Sequence, residues 1–475
     1  MLQIGDEPLT PAALAAAARG GPVEVELSPD ARERMAAAHS VVTAAMARRP
    51  VYGRTTGVGA NRNVEVGPQE ARAHSVRLLR SHAGGMGHPL PEDIVRATIL
   101  VRLAQMAAGG GGHRPEVADA LAATLREEPP PVIRNLGGIG TGDLTLLGQL
   151  GLALTERGLE IEAGDALALM SSNAATFASA ALAWSDVCEL HQAGLGIAAL
   201  TFCALDGNRE AFAAPVAAAR PLPGLIAVSA RLRALTADAP PPARIQDPFG
   251  LRCLPPVAGA VHDALAQLHD VLAVEINAAA ENPLIAGEEI LHHGGFHNAT
   301  CALALDGLRL ALVPFASLSA ARLTHLMAPE LTGLSPFLSV DAPGSSGVLI
   351  AEYLAADALA RLRADAVPAV LGTVAISRGL EEHASFAWQA SGQARHAVAH
   401  LGMVLGLEWL VAERALRMKG RDAGGALAPL RALAADWDPR LEDRPIGDDA
   451  EAAVAALPAL AAAVRSVIAG APHRP

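Results

Sequence analysis

The chain has 475 residues, more than one ordinary domain and enough to bury a large core. It is 51% hydrophobic but only 3% aromatic and 18% charged, which suits close-packed Ala- and Leu-rich helices better than a β-sandwich and implies surface hidden in oligomer contacts. A net charge of −12 without any Lys/Arg run argues against a nucleic-acid partner.

In chain order, the opening MLQIGDEPLT has no basic region followed by an apolar one, so no signal peptide is expected. Residues 51–66, with Gly53, Gly57 and Gly59 and no helical period, read as a loop. The glycines at 109–112 break a helix but lack the spacing of a phosphate loop. Residues 135–142 read as a second loop. Residues 166–185 carry no charge, and a bilayer needs about 20 apolar residues. Ser171, Ser172, Asn173, Thr176 and Ser179, with no aromatic belt, favour a buried helix over a membrane span. Proline clusters at 129–131, 215–223 and 240–242 mark further breaks.

Residues 257–280 and 301–327 keep apolar residues at three- and four-residue spacing, the second with a kink expected at Pro314. Residues 347–362 and 394–418 are further helix candidates. The tail from Lys419 is polar and Ala-rich. Cys188, Cys203, Cys253 and Cys301 are far apart and form no CxxC pair, as in a reduced cytoplasmic protein. The expectation is a mainly α fold, with a loop-rich part over 1–200 carrying chemistry and a long-helix bundle over 201–475.

Short strings carry more. Val51-Tyr52-Gly53-Arg54-Thr55-Thr56-Gly57-Val58-Gly59, Ser81-His82-Ala83-Gly84, Gly138-Ile139-Gly140-Thr141-Gly142-Asp143-Leu144 and Gln246-Asp247-Pro248-Phe249-Gly250-Leu251-Arg252-Cys253 occur in that order. They are followed by Glu275-Ile276-Asn277, Asn282-Pro283-Leu284, Phe296-His297, Glu381-Glu382-His383 and Glu408-Trp409-Leu410. Each is weak alone. Together they resemble the motifs of the histidine/phenylalanine ammonia-lyase family, and the histidine type in particular. The resemblance implies a helical homotetramer whose sites draw on several subunits. It also implies a small amino-acid-like substrate, and no external cofactor.

That family builds its own electrophile, a methylidene-imidazolone, from an Ala-Ser-Gly tripeptide. The resemblance makes Tyr52 the base and Arg252 the clamp on the substrate carboxylate, with Gln246 and Phe296 at other site positions. A phenolate near neutral pH needs a pKa lowered from about 10, through nearby positive charge or helix N-termini. A planar guanidinium holds a carboxylate by two parallel bonds. The bland reading of Arg252 is an ion pair with Asp247 or Asp263. His82 and Glu381 match the pair that accompanies an imidazole substrate. Left to themselves they would be a satisfied core histidine and a solvated helix residue.

The ring-making positions depart from the pattern. The tripeptide reads Gly140-Thr141-Gly142, so a ring formed here would carry an extra methyl, and Thr is stiffer than Ser. Ser171 stands where the family has the asparagine beside the ring. Asn173 could reach in from two residues on, but on a helix it would point to a different face. Phe249 replaces a tyrosine, Gly295 an asparagine, and Arg77 another asparagine. Three readings follow: an ammonia-lyase that still makes the ring, a ring-less enzyme using Tyr52 and Arg252 on a different substrate, and a binding protein without turnover. No metal-site spacing is present, and His292, His293 and His297 read as incidental.

Overall fold

The structure is a computed structural model that describes residues 1–340, 343–421 and 425–470. It divides into two compact units that are discontinuous in sequence. One comprises Met1–Ser185, Leu268–Asp306 and Pro368–Gly392, the other Asp186–Gln267, Gly307–Val367 and Gln393–Pro475. This differs from a division at residue 200. The helices Ala174–Ala204, Leu254–Glu275, Ala299–Leu326 and Ala387–Met418 each contribute residues to both units.

The first unit is built around the helix Glu92–Ala107, in which every residue from 94 to 107 is buried. A helix buried on all sides lies at the centre of a core. Its one fully buried cation, Arg102, pairs with Glu281 at 2.8 Å and donates to the carbonyls of Ala168 and Leu169. Removing one partner of such a buried pair costs about 3–5 kcal/mol, because the other is left uncompensated. The contact fixes the end of helix Asp165–Met170 against the turn before Asn282-Pro283.

Residues 164–183 are all buried, as expected of a core segment, but they do not form one helix. Asp165–Met170 stops, residues 171–173 are non-helical, and Ala174–Ala204 begins. Ser172 Oγ accepts the Ala174 N–H, and the Asp143 carboxylate accepts the Thr176 N–H and hydroxyl. These groups satisfy donors that a helix start leaves open. Three two-stranded pairs complete the unit, among them the hairpin of Leu284–Ala286 and Glu289–Leu291.

In the second unit the Glu408 carboxylate is fully buried. It accepts from Arg322 at 2.6 and 2.7 Å, from Thr201 and from Ser319. Arg322 also donates to the Gly250 carbonyl and so fixes the short helix Phe249–Arg252. Glu408 of the Glu-Trp-Leu string is therefore a packing residue. The helix expected over 301–327 is Ala299–Leu326 with Pro314 inside it, and that over 394–418 begins earlier, at Ala387. The expected break at Pro215 is instead the first turn of helix Ala214–Ala218, where the missing N–H costs nothing.

Candidate active site

A cavity of about 1160 Å³ opens in the first unit. Tyr52, His82, Thr141, Gly142, Ser171, Phe296 and Glu381 all line it.

The Tyr52 loop turns on glycines in a left-handed conformation that strains other residues. Gly53 has φ +66°, and a Cβ there would collide with Leu167. Gly59 has φ +54° and abuts Ser377. The Gly59 N–H donates to the Tyr52 hydroxyl oxygen at 2.8 Å, and the Ala60 N–H donates to Ser377 Oγ at 2.9 Å. Burial raises the Tyr52 pKa above its usual 10, and nearby Glu381 adds to this; the Gly59 N–H and Arg62 pull the other way without reversing it. The expected lowering is thus not what this unit provides. The sequence shows the loop's positive charge but not how far the phenol is buried.

His82 ends the helix Ala71–His82. Its Nδ1 lies 2.9 Å from the Leu78 carbonyl, which can only accept, so that nitrogen carries the proton. In the neutral ring Nε2 is then the acceptor. His82 is half-buried at the cavity wall rather than a satisfied core histidine. Glu381 sits in a tight reversal, its backbone bridged to Ile376. The histidines taken as incidental, His292, His293 and His297, also line this cavity, as does His383 of the Glu381-Glu382-His383 string. His297 Nε2 and His383 Nδ1 are 2.9 Å apart. No group of three metal-binding side chains occurs among the described residues.

The tripeptide is held by Asn173. Because residues 171–173 are not helical, the helical-face argument against Asn173 fails. Asn173 Oδ1 accepts the Gly142 N–H at 2.7 Å, and its Nδ2 donates to the Phe296 carbonyl at 2.8 Å. Ser171 instead accepts the Asn282 N–H. Gly140 and Gly142 have φ +81° and +107°. The Gly140 carbonyl accepts from the Ser385 hydroxyl at 2.7 Å and from the Asn298 N–H at 3.3 Å. Closing the ring requires the Gly142 nitrogen to meet the Gly140 carbonyl carbon, and both groups are already held by partners. The residues present fit the group. Asp143, next in the chain, is wholly buried, which pushes its pKa up to about 6.

Gln246, Phe249 and Arg252 lie in the second unit and do not line this cavity. Asp247 pairs with Arg244, not with Arg252. Among the described residues Arg252 makes no ion pair. Its buried Nε has no hydrogen-bond partner, and its guanidinium stacks 4.4 Å from the exposed Phe249 ring. Gly295 is exposed and donates its N–H to His293. Sequence reasoning missed Ser385 and Asn298, and set Asn173 aside.

A family model described as aromatic amino acid lyase matches residues 9–159 and 156–435. The histidine ammonia-lyase of Deinococcus radiodurans is 34% identical over 438 residues, covering 84% of this chain and 83% of that protein. The crystal structure of tyrosine aminomutase from Streptomyces globisporus matches with a TM-score of 0.91 at 26% identity, over 100% of this chain and 99% of that one. Ergothionase from Treponema denticola, an ergothioneine-degrading enzyme, shares the fold at a TM-score of 0.90 and 24% identity, over 97% and 99% of the two chains.

Proposed function

The chain belongs to the aromatic amino acid lyase family, and we propose that it eliminates ammonia from an L-histidine-like or aromatic amino acid to give an unsaturated acid. The observation that carries this reading is one cavity whose wall holds Tyr52, His82, Glu381 and Thr141 together. A ring made from Gly140-Thr141-Gly142 would supply the electron sink, since acid–base catalysis alone contributes only about 100- to 10,000-fold.

Tyr52 takes the β-proton. The Gly59 N–H on its oxygen favours the phenolate, while burial and Glu381 oppose it. A cationic group arriving with the substrate is therefore what activates it. His82 Nε2 and the Glu381 carboxylate both offer lone pairs. Two acceptors facing one space suit a ligand with two N–H donors, as a protonated imidazole has. Arg252, with its unpaired Nε, anchors the carboxylate, entering the site from another copy of the chain in a homotetramer.

A ring-less elimination on the same scaffold is the second reading. It is favoured by Thr141, whose methyl crowds the carbon to which an amine would add, and by Ser171, which is turned to Asn282. Incubation with L-histidine, L-phenylalanine and L-tyrosine, read by ammonia release, tests the first reading. Release from any of them supports it. Thermal stabilisation by these ligands with no product would point to binding without turnover.

A further inference from the structure

Ser385 lies two residues beyond Glu381-Glu382-His383 and belongs to no motif. It is 2% exposed, with its hydroxyl 2.7 Å from the Gly140 carbonyl oxygen. The Ala387 N–H donates to the same Ser385 oxygen, which leaves the hydroxyl proton for Gly140. The Asn298 N–H reaches the same carbonyl, and the Phe386 N–H donates to the Ile139 carbonyl at 2.9 Å. Phe386 holds φ +54°, a conformation that costs a residue with a Cβ about 1–2 kcal/mol. The segment keeps this strained turn while docked on 139–140. Gly140 is also the only residue type that admits the contact: a Cβ there would strike the Ser385 hydroxyl and lie 2.6 Å from the Ala387 nitrogen.

We propose that Ser385 and the Asn298 N–H form an oxyanion cradle for closing Gly140-Thr141-Gly142 into the ring, with Asn173 aiming the attacking nitrogen. This rests on the reading that the ring forms. In the step, the Gly142 nitrogen bonds to the Gly140 carbonyl carbon. The C=O electron pair moves onto the oxygen, where the two donors stabilise it, and the Gly142 proton passes to that oxygen. Loss of this hydroxyl with the Thr141 N–H proton gives the C=N bond and the first water. Thr141 then loses its hydroxyl and its Cα proton as the second water. No oxidant is required. Donors aimed at a developing oxyanion contribute about 100- to 1,000-fold each.

The test is the intact mass of the denatured full chain, with peptide mapping across residues 140–142, for the wild type, Ser385→Ala and Ser385→Cys. Ser385→Ala removes the donor without adding bulk, whereas Ser385→Cys returns a larger and weaker donor, so the pair brackets donation against packing. Melting temperature checks that each variant folds. The expected result is a wild type lighter by two waters, and folded variants that lack this loss or acquire it about 100-fold more slowly. A folded variant that matures as fast as the wild type would overturn the cradle alone. An unmodified wild type would overturn the ring reading and the cradle with it.

Discussion

Asn173→Ala separates what this chain does from what its motifs suggest. The side chain accepts the Gly142 N–H at 2.7 Å and donates to the Phe296 carbonyl at 2.8 Å. Gly142 is buried and Phe296 half-buried. A buried polar group left without a partner costs about 1–3 kcal/mol. The Gly142 N–H bears that in full and the Phe296 carbonyl in part, since water reaches it. The sum is about 2–4 kcal/mol. Ser171→Ala removes a single partner, that of the Asn282 N–H, and should cost about 1–2 kcal/mol. Chemical denaturation of both variants at one protein concentration reads the difference, and intact mass reads whether the tripeptide matures. Asn173→Ala should be the less stable and should lose maturation, while Ser171→Ala keeps it. If Asn173→Ala is within about 0.5 kcal/mol of wild type and matures normally, the assignment of Asn173 to the triad is wrong.

Tyr52→Phe should abolish turnover and keep ligand binding, whereas Arg252→Ala should weaken binding itself; steady-state kinetics with a binding isotherm checks both, and normal turnover by Tyr52→Phe removes the base. Glu381 raises the Tyr52 pKa, so Glu381→Gln should move the alkaline-rising limb of kcat/KM to lower pH, and an unmoved limb would show that the two groups do not interact. Asp143 is raised from 3.8 to about 6. Its contribution is complete below the unfolded value and is lost as pH rises through 6, by about 3 kcal/mol at 1.36 kcal/mol per pK unit. The stability difference between wild type and Asp143→Asn should therefore shrink by that amount between pH 3 and pH 7, and a difference flat with pH would contradict the burial argument.

The long helices were open to sequence reasoning because their apolar spacing persists over many turns; Ala299–Leu326 lies within two residues of its expected bounds. Tyr52, His82 and Glu381 were found through their strings, and the fold does bring them to one cavity. Asn173 was misjudged because a uniformly apolar, fully buried stretch gives no periodic sign of a break. The available signal was Ser-Ser-Asn before an Ala-rich run, which is a helix-start signature. Ser385 had no sequence signal: its contact with Gly140 spans 245 positions and depends on the turn at Phe386. The direction of the Tyr52 shift depends on burial, which a loop sequence does not reveal. Arg252 was identified by its string, yet the cavity wall of the single chain does not contain it.

The proposed elimination needs Gly140-Thr141-Gly142 to make an electrophile despite Thr141. Intact mass of the purified wild-type chain, with the change mapped to residues 140–142, tests it most directly. A mass lower by two waters at that peptide is the predicted result. An unmodified peptide in folded protein would contradict it and leave Tyr52 and Arg252 to act on a substrate that needs no electron sink.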